Sequence, residues 1–216
     1  MQKPFEGGTK LEAAVKALNK VLSFQVADRD NLAFRRFGGP CKGDNTELLV
    51  NFGQNNVKQI RDHLPSVSKG DTTTTANAIV RAVSDFDDLQ RFADVNRRVL
   101  IITGGRDMCD PQAADVIRQS LLKKKIRPTF WFIDMDVPPD QERQLIEIGR
   151  ATDGKLFHVK NQNELESILE RLFEVEPVIA DINTMVDILN SITKRFNSSN
   201  RFLEQKRYTE AGKRNT

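Results

Sequence analysis

Residues 98–103 read RVLIIT and residues 129–135 read TFWFIDM, and these two stretches decide the fold. Each contains a continuous apolar run bounded by polar or turn-forming residues, which is typical of a strand covered on both faces in a parallel sheet. We therefore predict two buried strands, with the strand at 98–103 near the centre of the sheet.

Helical and extended patterns alternate around these two strands. Apolar spacing and turn residues predict helices at 10–24, 57–64, 76–92, 110–125, 138–152 and 163–173, a hairpin of strands 31–37 and 47–52, and a last strand at 156–159. From the helix at 76–92 onward the connections are short, about two to six residues, whereas the loop of the hairpin is long and polar. This order predicts an α/β fold: a doubly wound, mostly parallel sheet with helices on both faces.

The pattern changes after Pro177, where apolar residues mark one face of a long helix that no strand follows. We predict a domain at 1–175, an amphipathic helix at 176–208 and a disordered basic tail at 209–216. The helix either packs on its own domain or forms a short coiled coil through 179–196, which would make a homo-oligomer.

The net charge of +3 is unevenly distributed. Residues 194–216 hold seven of the 33 basic residues and two of the 30 acidic ones, which leaves 26 basic and 28 acidic residues before Lys194. No stretch approaches the roughly 18 apolar residues that a membrane span needs, so we expect no membrane partner. The basic tail leaves nucleic-acid binding as an alternative, although the domain itself has no interleaved basic and aromatic residues.

Four pieces of the sequence, taken in order, carry a family resemblance. They are 32–38, which ends in Phe-Gly, the threonine-rich loop GDTTTTANAI at 70–79, VLIITGG at 99–105, and the segment from Gln144 to Phe157. Their order and spacing resemble the von Willebrand factor A family over about residues 1–175. The resemblance implies a Rossmann-like α/β fold that binds a partner protein.

The resemblance also implies where a divalent cation would bind, at the carboxyl ends of the strands. Mg²⁺ prefers oxygen ligands, which the family supplies from three loops. The family's threonine falls on Thr73, with Thr72 as the alternative, but its aspartate falls on Gly104. Asp107 could lean towards the ion instead. Otherwise Thr73 is a turn hydroxyl or, like one of its neighbours, a helix cap, and Asp107 is a solvated loop residue.

The first strand of the family, with its Asp-x-Ser-x-Ser ligands, would precede Met1. This strand is central, so its loss would expose two ladders of backbone groups or make the flanking strands pair directly. We expect an amino-terminally shortened or degenerate member of the family. We also expect weak or absent metal binding, with no certain cofactor and Mg²⁺ only if upstream residues complete its shell.

Cys41 lies in the predicted hairpin loop and Cys109 in the loop after strand 98–103. The resemblance places both loops at the same edge of the sheet and includes exported members with cysteines in both. A disulfide and two unpaired thiols therefore both remain open. The disulfide would imply an oxidising compartment outside the cytoplasm and a signal sequence lost upstream, whereas the sequence as written suits the cytoplasm.

Catalytic groups are sparse in this sequence. His63 and His158 have no evident Ser or Cys nucleophile beside them, and the pairs Gly38-Gly39 and Gly104-Gly105 lack the spacing of phosphate-binding loops. We therefore predict a protein-interaction module rather than an enzyme. Its partner, which could bind through an acidic side chain, docks on the loops at 38–45, 70–75 and 104–110. The alternative is a Rossmann-like, nucleotide-dependent enzyme.

Overall fold

The structure is a computed structural model that describes residues 1, 3–24, 30–43, 45–67, 72–87 and 96–173. The chain divides into two units, Met1–Arg171 and Leu172–Thr216, and the account below concerns the first. The helix predicted at 176–208 and the tail at 209–216 lie outside the described residues.

Helices and strands alternate along the first unit, as the sequence predicts. The strands are β1 (Pro4–Phe5), β2 (Gly8–Thr9), β3 (Leu32–Phe37), β4 (Thr46–Gly53), β5 (Arg98–Thr103), β6 (Thr129–Met135) and β7 (Lys155–Val159). The helices are α1 (Lys10–Phe24), α2 (Val57–His63) with a 3-10 turn at Leu64–Ser66, α3 (Thr75–Ser84), α4 (Ala113–Leu122) and α5 (Pro139–Thr152), followed by helical residues 162–173. No described helix combines the length and the apolar composition needed to cross a bilayer.

The larger strands form two sheets. β5, β6 and β7 make a parallel sheet in that order, with β6 in the middle. β3 and β4 make an antiparallel hairpin whose register is interrupted between Leu32 and Arg35. The α/β class is confirmed, with parallel strands joined by helices.

The position of β5 differs from the prediction. Among the described residues β5 pairs with β6 alone, so it is an edge strand rather than a central one, and Val99, Leu100 and Ile102 are partly exposed. The sequence of β5 is that of a strand with neighbours on both sides, but the described chain supplies only one of them.

The core lies between the parallel sheet and helices α3, α4 and α5. Phe130, Phe132 and Leu145 are at most 1% exposed at its centre. Val99 of β5 and Phe37 of the hairpin pack against this same cluster. The two sheets therefore share one core although their strands are not hydrogen-bonded to each other in the described residues.

Two predicted helices are shorter in the structure. The helix predicted at 76–92 ends at Ser84, and the next residue, Asp85, accepts two hydrogen bonds from Arg35 of β3; residues 88–95 lie outside the described part. The helix predicted at 110–125 runs only over Ala113–Leu122. Its prediction relied on Pro111 at the first helical position, but Asp110 instead holds a turn by accepting the Gln112 N–H.

Candidate functional site

Three loops meet at the carboxyl ends of β3 and β5. We call residues 38–43, 45, 72–75 and 104–110 the rim. Gly39 and Thr72 are joined by a 3.2 Å hydrogen bond from Gly39 N to Thr72 O and by a second bond from the Thr72 hydroxyl to Gly39 O. Met108 N donates to Thr73 O at 2.8 Å. The structure thus brings together the described parts of all three loops that the sequence analysis selected.

A disulfide between Cys41 and Cys109 crosses the rim, with 5.1 Å between their Cα atoms. Cys41 belongs to the hairpin loop and Cys109 to the loop after β5. The bridge therefore links the two sheets covalently. From the sequence alone, a disulfide and two free thiols had both remained possible.

Asn45 connects the hairpin loop to α3 and to the residue before it through buried hydrogen bonds. It is 6% exposed, and its side-chain oxygen accepts a 2.6 Å hydrogen bond from Asn77 Nδ2. Its backbone oxygen accepts from Gly38 N and from the Thr74 hydroxyl. Asn45 belongs to the predicted docking loop at 38–45, but its contacts were not predicted, because an asparagine between a loop and a strand carries no signal of long-range contact.

Asp107 is buried beneath the rim and is only 4% exposed. One carboxylate oxygen accepts the Ala76 N–H of α3 at 2.7 Å, and the other accepts the N–H groups of Cys109 and Asp110 at 2.8 and 2.9 Å. The interpretation of Asp107 as a solvated loop aspartate is therefore wrong. Its carboxylate accepts one N–H group at the start of α3, where the helix dipole favours a negative charge, and two N–H groups of its own loop.

The interpretation of Thr73 itself as the cap of α3 is wrong. The residue before the helix is Thr74, which makes no side-chain capping bond, and Asp107 takes that role from another loop. Thr73 is partly exposed on the rim, and its backbone oxygen is bonded to Met108. Thr72 uses its hydroxyl on Gly39.

Lys10 and Met1 fill the space beside Gly104. A Cβ atom on Gly104 would lie 2.9 Å from Met1 Sδ and 3.1 Å from Lys10 Cδ. Lys10 is 1% exposed and donates from Nζ to Asp136 O at 2.8 Å. Burial lowers the pKa of Lys10, against the raising effect of Asp136.

The described residues do not fit the cation site that the resemblance implies. Both Asp107 oxygens already accept backbone N–H groups, and Gly104 offers no ligand and has no room for a larger side chain. The side chain of Lys10, which is buried, lies beside Gly104 through its Cδ atom. Among the described residues, no three His, Cys, Asp or Glu side chains are grouped to hold a metal.

A second polar cluster lies at the carboxyl ends of β6 and β7. The two ring nitrogens of His158 face carboxylates, with Nδ1 against Asp134 Oδ2 and Nε2 3.2 Å from Glu142 Oε1. Burial raises the pKa of Asp134, against the lowering effect of a hydrogen bond from the Val137 N–H. Both ring nitrogens are therefore engaged by carboxylates in this arrangement.

A pocket of about 250 Å³ lies at the opposite end of β7 from the rim. It is lined by Ile146, Gly149, Arg150, Asp153, Gly154 and Leu156. Ligands of open parallel sheets bind outside the carboxyl ends of the strands. The position of this pocket therefore gives no support to the nucleotide-dependent alternative.

These features define an α/β domain with a von Willebrand factor A-like fold. The chain is similar to the von Willebrand factor type A protein from Catenulispora acidiphila, with a TM-score of 0.58 and 14% identity over 76% of this chain and 37% of that one. At this identity the likeness shows the fold alone, and the chain spans little more than a third of that protein. An uncharacterized membrane spanning protein from Vibrio fischeri aligns with a TM-score of 0.32 and 16% identity, over 82% of this chain and 92% of that one.

No protein-family model matches the sequence. No curated protein matches it either.

Proposed function

We propose that the rim docks a partner protein that presents acidic and apolar side chains, and that it does so without a metal ion. Folds of the von Willebrand factor A type are commonly used for protein–protein interaction. The observation that carries the proposal is the exposed apolar side chain of Met108 next to a disulfide that fixes two loops of the rim.

The chemistry of the exposed rim favours such a partner. Met108 is 58% exposed and precedes Cys109, while Lys42 follows Cys41 and is exposed, as is Arg106. Interfaces combine an apolar contact with charges at their margin that complement the partner. Two exposed cations on the same rim as a flexible thioether favour a partner that is both acidic and apolar.

The cross-links of the rim favour binding by a preformed surface. The disulfide, the Gly39–Thr72 pair and the Asp107 carboxylate hold loops that begin on different elements. A surface whose loops are already fixed loses less conformational entropy when a partner binds. This stiffness supports docking at the loops rather than at the helical sides of the domain.

The same residues support binding without a metal ion. With Asp107 committed to backbone N–H groups, the partner's carboxylates would meet Lys42 and Arg106 directly instead of an ion. We therefore expect chelation by EDTA to leave partner binding unchanged.

The test compares partner capture by three forms of the protein. A rim variant carries Lys42→Glu, Arg106→Glu and Met108→Ala. A control variant carries matched changes on α2 and α4, namely Lys58→Glu, Arg118→Glu and Val116→Ala, at side chains that are also exposed. Captured proteins are quantified by mass spectrometry with and without EDTA.

We expect at least one protein to be captured by the wild type and the control and to be depleted at least about tenfold by the rim variant, with no effect of EDTA. Equal capture by all three forms would contradict docking at the rim. Capture that is lost in EDTA would contradict its independence from metal.

A further inference from the structure

The end of the parallel sheet opposite the rim carries a cluster of exposed basic side chains. The rim lies at the carboxyl end of β5, so the opposite end is formed by the first residues of β5, β6 and β7 and by the last turns of α4 and α5. Six exposed residues at this end are called the basal face, namely Leu122, Lys123, Lys125, Arg127, Arg150 and Lys155. Five of the six are cations at neutral pH.

Close contacts hold these residues in one surface. Arg127 donates from Nη1 to Leu121 O at the end of α4, which places the segment before β6 beside that helix. A Cβ atom on Gly154, the residue before Lys155, would lie 3.0 Å from Phe130 Cβ of β6. The end of α4, the start of β6 and the start of β7 are therefore neighbours.

Acidic side chains offset little of this charge. No acidic residue occurs in the sequence from 122 to 129. Asp87 lies near the end of α4, but it is engaged by Lys124, whose Nζ is 2.5 Å from Asp87 Oδ2. Asp153 is exposed, yet it has a cation of the basal face three positions before it and another two positions after it. The basal face therefore presents a positive potential to its surroundings.

The dipole of α4 accounts for only part of this pattern. Cations are favourable near the last turn of a helix, which applies to Lys123 and Lys125. It does not apply to Lys155, which begins a strand, or to Leu122, whose side chain is 71% exposed at the end of α4. An exposed leucine among cations has the chemistry of a surface that lies on an anionic bilayer.

We propose that the basal face docks on an anionic lipid bilayer, with Leu122 at the acyl boundary and the five cations at the lipid phosphates. Nucleic acid would contact the same cations through its phosphates but would leave Leu122 in water. This peripheral contact differs from a membrane span, whose absence alone led to the expectation of no membrane partner. The basal face is separate from the rim, and its test does not depend on partner binding there.

The test measures cosedimentation of the full chain with vesicles of phosphatidylcholine, either alone or mixed with an equal amount of phosphatidylglycerol. A basal variant carries Lys123→Glu, Lys125→Glu and Lys155→Glu. A control variant carries Lys58→Glu, Arg118→Glu and Arg143→Glu, at exposed side chains of α2, α4 and α5. The two variants have the same net charge and the same basic segment 194–216, so only the position of the cations differs.

We expect the basal variant to bind the mixed vesicles at least about tenfold more weakly than the control variant, because each lysine near an anionic surface adds to the attraction. Binding should weaken as salt is raised and should be absent on phosphatidylcholine alone. Leu122→Ser should weaken binding about threefold or more, whereas Val116→Ser, at an exposed side chain of α4, should not. If the basal variant does not fold, glutamine at the same three positions and Leu122→Ser still decide.

Three results would overturn the proposal. The first is no binding of the wild type to the mixed vesicles. The second is equal binding by the basal and control variants, which would mean that overall charge or the segment 194–216 attracts the protein to lipid. The third is vesicle binding that Leu122→Ser leaves unchanged. Binding to duplex DNA is measured in parallel, and DNA binding that only the basal variant loses, without vesicle binding by the wild type, would identify nucleic acid as the occupant.

Discussion

A single carboxylate beneath the rim organises three separate pieces of backbone. Asp107 accepts N–H groups from Ala76 of α3 and from Cys109 and Asp110 of its own loop. Charge-assisted hydrogen bonds of this kind are stronger than neutral ones, and a helix start without a capping group is destabilised. The residue that resemblance suggested as a metal ligand is therefore a structural capping residue in the fold.

We expect Asp107→Ala to lower the free energy of unfolding by about 2–4 kcal/mol, since it leaves buried N–H groups without an acceptor. Denaturant unfolding measures this, with Asp115→Ala as the control. Asp115 is exposed and pairs with Arg118, so its loss should change stability by less than about 0.5 kcal/mol. If Mg²⁺ stabilised the wild type and Asp107→Ala removed that effect, Asp107 would be a ligand after all.

The amine of Lys10 is buried at the carboxyl end of the sheet with one carbonyl acceptor. Burial lowers the pKa of Lys10 from its ordinary value of 10.5. Below this lowered pKa the amine is charged in both the folded and the unfolded chain, and the cost of burying the charge is present in full. Between the lowered pKa and 10.5 the folded state releases its proton first, so the cost falls as pH rises.

We therefore expect the wild type to gain stability relative to Lys10→Met as pH approaches 10.5. The measurement is the difference in free energy of unfolding between the two proteins across alkaline pH, in which groups common to both cancel. Lys58→Met, at an exposed side chain, is the matched control. A flat difference for Lys10→Met would show that the amine is solvated.

Local residue patterns predicted the elements because they depend on neighbours in sequence. Lys10–Phe24 and Thr129–Met135 have the predicted bounds, since helical periodicity and a continuous apolar run are local signals. The end of α3 was not predictable in this way. The helix stops where Asp85 meets Arg35, a residue 50 positions away in the sequence.

Strand β5 shows a different limit of sequence reasoning. Its run Val99–Ile102 predicted a strand with two neighbours, and the strand exists as predicted with only one in the described chain. The composition of a strand indicates how many neighbouring strands it is suited to, but not whether the described chain provides them. The three rim loops were predicted from their order in the sequence. The capping role of Asp107 was not, because it depends on Ala76, which lies 31 positions away in the sequence.

At the scale of the molecule, the hairpin and the parallel sheet form one domain without shared strand pairing in the described residues. They are joined by the packing of Phe37, the Arg35–Asp85 ion pair, the rim hydrogen bonds and the disulfide. The disulfide is the only covalent link in this set beyond the chain itself. Cooperative unfolding of the two parts therefore depends on the rim.

β6 should be the most protected strand, because it is paired on both sides and Phe130, Phe132 and Ile133 are at most 1% exposed. The hairpin lacks such support. A disulfide that closes a long loop, here with a sequence separation of 68 residues, typically stabilises by about 2–4 kcal/mol. Reduction of the disulfide should therefore destabilise mainly the hairpin, which then opens without unfolding of the parallel sheet.

We expect reduction to speed amide exchange in 32–37 and 46–53 by at least about tenfold more than in 129–135. Exchange with and without a phosphine reductant measures this. The double variant Cys41→Ser with Cys109→Ser should reproduce the fast exchange and should not respond to the reductant. If reduction accelerated exchange equally in the hairpin and in β6, the two sheets would unfold as one unit, and packing around Phe37 would be a stronger link than the rim.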